Sequence, residues 1–198
     1  MATTRVHLVR HGQVHNPQRI VYGRLPGWRL SAKGRQQAES VARDLSGRPI
    51  TALYSSPLER AVETAEVIGR ALGLPVRVRE DLTESALAAR WEGLSWLRVF
   101  AQHRREWEVY RQQPLELACP EPLARLAERM ASAVRALAGA HRGEEIVVVS
   151  HGDPIKAAVR VLTGGDLARV HDETLPTAGR ITLDVDETGA AVVVERAV

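Results

Sequence analysis

The sequence predicts an α/β fold: a three-layer α/β/α sandwich around a mostly parallel central sheet. Three observations predict it. Val6-His7-Leu8-Val9 and Ile146-Val147-Val148-Val149 are short, β-branched-rich apolar runs of the kind that form strands buried on both faces. Between them lie long segments whose apolar residues recur at helical spacing. Strands that alternate with helices must bury both sheet faces under helices, which makes the sheet largely parallel.

Taken in order, the first strand is Val6–Val9, and a helix follows over about Ala32 to Leu45, with Gly47 beyond it as a stop. Ser56-Pro57-Leu58-Glu59 reads as the next helix start, with Ser56 capping, Pro57 in the first turn and Glu59 completing a capping box. Leu58, Ala61, Val62, Ala65, Ile68 and Leu72 supply the apolar face of that helix. The stretch from Ser95 to Pro122 is polar and less regular, with Arg104-Arg105 and Trp107 inside it, and reads as a helical cap over a site. Leu123, Leu126, Met130, Ala133, Val134 and Leu137 then mark another amphipathic helix. Asp153-Pro154 starts a further helix directly after the Ile146–Val149 strand. Ile181–Val185 and Ala191–Val194 form a final strand pair, joined by a turn at Glu187-Thr188-Gly189. No repeat, low-complexity tract or linker interrupts the chain, so the expectation is one domain over residues 1–198.

Composition narrows the classes. With 44% hydrophobic and 26% charged residues, the 198-residue chain matches ordinary globular proteins. Its net charge of +3 is small and its arginines are scattered, which argues against nucleic acid as a partner but suits a small anionic substrate. Aromatics at 4% make stacking platforms for single strands improbable. No apolar run is long enough for a membrane span or a signal-peptide core, and the single cysteine, Cys119, excludes an intrachain disulfide. The expected location is cytoplasmic. The strand pair at the C-terminus leaves a sheet edge that can support a homodimer.

Ligands of parallel sheets gather at the carboxyl ends of the strands, where this chain places its most reactive residues. Arg10-His11-Gly12 follows the first strand and Ser150-His151-Gly152 follows the Ile146–Val149 strand. Ser55-Ser56 leads into the helix whose first turn carries Arg60. Helix N-termini and forked guanidinium donors attract phosphate. A glycine after each histidine is read as removing a Cβ where phosphate nears the backbone.

Those pieces resemble the histidine phosphatase superfamily, which includes the phosphoglycerate mutases. Leu8-Val9-Arg10-His11-Gly12 with Asn16 looks like the opening motif, and Leu30-Ser31 with Gly34, Gln37 and Ala38 like the first-helix pattern. Ser55 through Ala61 with Thr64-Ala65 is similar to the segment of the second phosphate-binding arginine. Leu82-Thr83-Glu84 followed by Trp91-Glu92-Gly93 resembles the proton-donor region, and Val149-Ser150-His151-Gly152 the second-histidine motif. The resemblance implies a phosphoglycerate mutase-like fold and a metal-independent phosphatase of phosphate monoesters with no cofactor. It makes His11 the nucleophile that becomes phosphohistidine and Glu84 the acid that protonates the leaving oxygen and then activates water. It gives Arg10, Arg60 and His151, helped by Asn16, the transferring phosphoryl group, with Gly12 and Gly152 beside them. Two departures fall on the leaving-group side: Ser85 to Arg90 holds no glycine where the family commonly has one, and Pro120-Glu121-Pro122 stands in place of a Gly-Glu-Ser-like element.

Rival readings are a mutase that retains and rephosphorylates its product, and a phospho-ligand binding protein without turnover. Asp81 and Glu92 are substitutes for Glu84 as the acid. His7, His11 and His15 recur every four residues, but a strand, Gly12 and Pro17 deny them the helical face a metal ladder needs. Cys119 and Arg125 have the bare spacing of cysteine-dependent phosphatases, yet Pro120 and Pro122 offer no N–H to cradle phosphate. A serine-hydrolase elbow is missing as well.

Overall fold

In the computed structural model, which describes residues 3–197, the order of elements is β1 (Thr4–Arg10), α1 (Ala32–Leu45), β2 (Ile50–Ser55), α2 (Glu59–Leu72), β3 (Val76–Val78), α3 (Trp96–Gln102), α4 (Arg104–Gln112), α5 (Leu123–Ala140), β4 (Glu145–Ser150), α6 (Gly152–Leu162), β5 (Arg180–Val185) and β6 (Ala191–Ala197). The strands form one sheet in the order β3-β2-β4-β1-β5-β6. The four strands from β3 to β1 run parallel, and β5 and β6 add an antiparallel edge.

Side-chain alternation along the central strands explains the three layers. Val6 and Leu8 of β1, Ala52 and Tyr54 of β2 and Ile146 and Val148 of β4 point to one face, where they pack with Met130, Val134 and Leu137 of α5 and Ile155 and Ala158 of α6. Val9, Leu53, Val147 and Val149 point to the other face, against Val41, Ala42 and Leu45 of α1 and Ala61, Ala65 and Ile68 of α2. The two valine-rich runs of the sequence are therefore continuous because both of their faces are covered.

Helix α1 has the expected bounds. Its Ser31 cap accepts from the Gly34 N–H at 3.0 Å, and Gly47 takes the left-handed conformation (φ 85°) beyond its end. The start of α2 differs from expectation. The helix begins at Glu59, no side chain caps it, and the Ser56 hydroxyl bonds His151 instead. The Glu59 carboxylate accepts from the Gly27 N–H rather than completing a capping box.

Strands β2 and β3 lie where sequence periodicity marks no strand. Three residues of β3, alternating about Arg77, carry too little pattern, and its identity is conferred by pairing with Leu53 to Ser55. Among the described residues, no helix is long and apolar enough to cross a membrane.

Candidate active site

Parallel register brings three distant segments into one cluster. Arg10 pairs with Ser150 across β1 and β4, and the next ladder bond, His11 N–H to the Ser150 carbonyl at 3.0 Å, sets His11 beside His151. On the other side of β4, the Ser56 N–H donates to the Val149 carbonyl at 2.9 Å. The ends of β1, β4 and β2 thus deliver His11, His151 and Ser56 to one place. The imidazoles of His11 and His151 meet edge to face, 5.2 Å between centroids.

His11 is buried at 1% exposure, and its Nδ1 donates to the Gly12 carbonyl at 2.8 Å. That bond assigns the proton to Nδ1 and leaves a lone pair on Nε2. The lone pair accepts from Arg60 Nε at 3.2 Å. Burial, then the charges of Arg60 and Arg10, hold His11 well below the usual imidazole range against the raising effect of the Gly12 bond. The ring is neutral at neutral pH, with Nε2 ready to attack.

Arg60, also 1% exposed, sits in the first turn of α2 with its guanidinium 4.8 Å from the centre of the Tyr22 ring. Its Nη2 donates to the Gly23 carbonyl at 2.7 Å, so Nε and Nη2 lock the fork in place. Arg10 is tied through Nη1 to the Leu175 carbonyl, while its buried Nε has no partner among the described residues. Two guanidinium groups therefore converge beside the His11 nitrogen with donors to spare for an anion.

The Ser56 hydroxyl lies 2.7 Å from His151 Nε2 and accepts from the Leu58 N–H at 3.3 Å. Ser56 thus engages Nε2, the direction of that bond following the imidazole tautomer, and leaves Nδ1 as the nitrogen turned toward Glu84. That buried Nδ1 has no hydrogen-bond partner and lies 3.7 Å from Glu84 Oε2. Burial and the surrounding cations Arg60, Arg10 and Arg129, together with His11, hold His151 well below its ordinary range. It is a neutral imidazole beside that of His11.

Glu84 stands beside these groups, 17% exposed, with Oε2 4.0 Å from Arg60 Nη2 and Oε1 accepting from the Ser85 N–H at 2.7 Å. Burial and the nearby Asp153 carboxylate raise its pKa, opposed by Arg60, the Ser85 bond and Arg10. A carboxyl that holds its proton more tightly than usual beside an anion site is suited to general acid work. The substitutes lie elsewhere: Asp81 is paired with Arg79, and Glu92 accepts from the Arg24 N–H at 2.6 Å.

Gly12 and Asn16 have different surroundings from those expected, whereas Gly152 lines the cavity beside Arg10. A Cβ on Gly12 would lie 2.4 Å from the Gly34 carbonyl oxygen, so what the glycine admits is the close approach of α1, not phosphate. The Gly12 N–H is already given to Thr64 Oγ1 at 3.0 Å. Gly12→Ala should therefore cost stability, by about 1–3 kcal/mol or more from overpacking against backbone; unchanged denaturant midpoints would show that α1 can yield. Gly152 opens α6, and its Cβ would lie 3.5 Å from the Arg10 guanidinium, an ordinary contact. The Asn16 amide is occupied on both sides, accepting from the Ile20 N–H and donating to the Ile20 carbonyl, each at 2.8 Å. It staples its own loop.

Beside this cluster opens a cavity of about 340 Å³ whose lining includes Arg10, Tyr22, Glu84, Gly152, Tyr110, Asp153, Lys156 and His171, whereas the buried His11, Arg60 and His151 are not among its lining residues. Trp96 and Arg111, from the expected 95–122 excursion, complete its wall. Asp153 was read only as a helix start, but Tyr110 donates to its Oδ2 at 2.7 Å and Lys156 Nζ lies 3.2 Å from its Oδ1. Burial brings the neighbouring His171 down to about 4, although Asp153 opposes it. Few aromatics exist in this chain, yet Trp91, Trp96, Phe100, Trp107 and Tyr110 form one cluster beside the cavity. Composition hides that concentration because the cap helices α3 and α4 gather what is sparse overall. His7 lies apart from the site, its ring held between Thr182 at 3.0 Å and Glu145 at 3.1 Å.

Known proteins share the fold and part of the sequence. The family profile of the histidine phosphatase superfamily (branch 1) matches residues 6–197. Phosphoserine phosphatase 1 of Hydrogenobacter thermophilus is 31% identical over 165 residues, 82% of this chain and 77% of that protein. A mutant phosphoserine phosphatase from Entamoeba histolytica, in complex with phosphoserine, superimposes with a TM-score of 0.82 at 26% identity, covering 98% of this chain and 96% of its own. A mycobacterial glucosyl-3-phosphoglycerate phosphatase complexed with VO3 gives a TM-score of 0.85 at 27% identity over 98% and 97% of the two chains.

Proposed function

This chain belongs to the histidine phosphatase superfamily (branch 1), and on that premise we propose that it hydrolyses small phosphate monoesters through a phosphohistidine at His11, without a metal. The observation that carries the proposal is the state of the His11 ring. Its Nδ1 proton is fixed by the Gly12 carbonyl, and its neutral Nε2 faces Arg60 at 3.2 Å. Phosphoryl transfer is mainly a matter of positioning and charge stabilisation, and Arg10, Arg60 and His151 supply both here.

In the first half-reaction the Nε2 lone pair forms a bond to phosphorus as the ester P–O bond breaks. The leaving oxygen takes its proton from Glu84. In the second, the Glu84 carboxylate accepts a proton from water as the water oxygen bonds to phosphorus. The P–N bond then breaks and its electron pair returns to Nε2. Glu84 ends protonated and His11 neutral, so ester and water have become alcohol and phosphate. The small cavity suits a metabolite-sized leaving group, and the phosphoserine and glucosyl-3-phosphoglycerate phosphatases among its relatives support the hydrolytic reading.

A panel of phosphorylated metabolites, scored for both free phosphate and phosphate migration, tests the proposal. Free phosphate in step with substrate loss is the expected outcome. Migration to another hydroxyl with little free phosphate would establish a mutase instead, and tight binding without turnover a phospho-ligand binding protein.

A further inference from the structure

The segment that carries Glu84 lies in neither a helix nor a strand; short 3-10 turns at Glu80–Leu82 and Ala89–Trp91 flank it. Its backbone carbonyls are held by two arginines from remote parts of the chain. Arg129, on α5, donates from Nη1 to the Asp81 carbonyl at 2.7 Å and to the Thr83 carbonyl at 3.1 Å. Arg24, in the loop after β1, donates from Nε to the carbonyl of Glu84 itself at 2.7 Å, and Arg129 Nη2 approaches the same oxygen at 3.5 Å.

One carboxylate ties both arginines together. Glu121 Oε1 accepts from Arg129 Nε at 2.6 Å, and its Oε2 accepts from Arg129 Nη2 at 3.0 Å and from Arg24 Nη2 at 2.5 Å. Glu121 is 17% exposed and sits between Pro120 and Pro122, whose fixed φ angles stiffen the approach to α5. The Cys119 thiol donates to its backbone carbonyl at 3.1 Å. Burial disfavours the charged form, but the Arg129 bonds and the charges of Arg129 and Arg24 outweigh it and hold Glu121 below the usual carboxylate range. The carboxylate is ionised at neutral pH, as the clamp requires.

We propose that Glu121 is a positioning residue for the reaction: it locks Arg24 and Arg129 onto the Asp81–Glu84 backbone and so sets where the Glu84 carboxyl stands. This rests on Glu84 being the proton donor, as proposed above. The Ser85 N–H that orients Glu84 Oε1 belongs to the same clamped segment, so a shift of the backbone moves both the acid and its orienting donor. Leaving-group protonation demands that the acid be within hydrogen-bond reach of the departing oxygen, and misplacement by about 1 Å can cost about 100-fold in rate. Binding of the phosphoryl group uses Arg10, Arg60, His11 and His151, none of which is hydrogen-bonded to Glu121.

The experiment compares kcat/KM for p-nitrophenyl phosphate, whose leaving group needs no proton, with that for glycerol 2-phosphate, whose leaving group does. This ratio covers only the steps through ester cleavage, so the later attack of water does not blur it. For Glu121→Gln the expected loss is about 10- to 100-fold with the alkyl ester and within about threefold with the aryl ester, with restoration in part by Glu121→Asp. Because Glu121 acts through Glu84, adding Glu121→Gln to Glu84→Gln should change neither substrate further. Equal losses on both esters, or losses that multiply in the double variant, would overturn the proposal. If Glu84→Gln alone treats the two esters alike, the acid assignment fails instead, which separates the two ideas. Should Glu121→Gln not accumulate folded, Arg24→Lys keeps the charge but breaks the two-point hold, and the same selective loss on the alkyl ester is expected.

Discussion

His11→Ala should abolish turnover, lowering aryl phosphate hydrolysis by roughly 10⁴-fold or more, the scale on which removing a covalent nucleophile acts. Its neighbours do not replace it: Arg10 and Arg60 are cations, and His151 Nε2 is engaged by the Ser56 hydroxyl at 2.7 Å. The variant should still bind inorganic phosphate, because Arg10, Arg60 and His151 remain, and isothermal titration alongside the rate assay checks both parts. Wild-type rates in His11→Ala would move the nucleophile elsewhere. The neutral ring left in wild type has a further consequence. Burial and the two arginines keep His11 well below the ordinary imidazole range, so acidification through the usual imidazole pKa of about 6.5 should not by itself protonate the nucleophile.

Glu84→Gln should be the next most damaging change, and a selective one. General acid catalysis is worth roughly 10²–10⁴-fold, and kcat/KM for an alkyl phosphate should fall by that order while an aryl phosphate with a good leaving group loses far less. Equal slowing of both would place the acid elsewhere. The sign of the pH dependence follows from the direction of the shift. Burial and Asp153 raise the Glu84 pKa, so the folded protein keeps this proton above the ordinary carboxylate range. Alkyl phosphate kcat/KM should decline only as pH rises through that raised value. In Glu84→Gln, which has no proton to lose, the alkaline limb assigned to this group should disappear.

Much of the fold was legible. Strands β1 and β4 announced themselves through unbroken valine-rich runs because both faces of each are covered, and α1 and α5 through apolar residues that recur once per turn. Strand β2 contains Ile50, Leu53 and Tyr54 and could have been found from its β-rich composition, whereas β3 depends on its partner strand. Within the site, the paired His-Gly sequences and Arg60 stood out because a parallel sheet brings its strand ends together. Ser56, Gly12 and Asn16 were placed by local rules for caps, phosphate loops and motif neighbours. Each instead serves a contact with a residue that those rules do not identify: Ser56 with His151, Gly12 with Gly34 and Asn16 with Ile20.

The sequence alone determined the layer architecture, the two histidines at strand ends and the arginine that joins them, since these follow from periodicity and from which end of a strand a residue occupies. Tertiary structure alone decided which His11 nitrogen holds the proton, which His151 nitrogen faces the site, and how Glu84 reaches it. The physical reason is range. Burial on one face repeats along the chain and can be read locally, but a tautomer or a carboxyl position depends on single hydrogen bonds between distant residues. Ser56 lies 95 positions from His151 and Arg129 lies 46 from Thr83, and no spacing rule along the chain encodes such pairs.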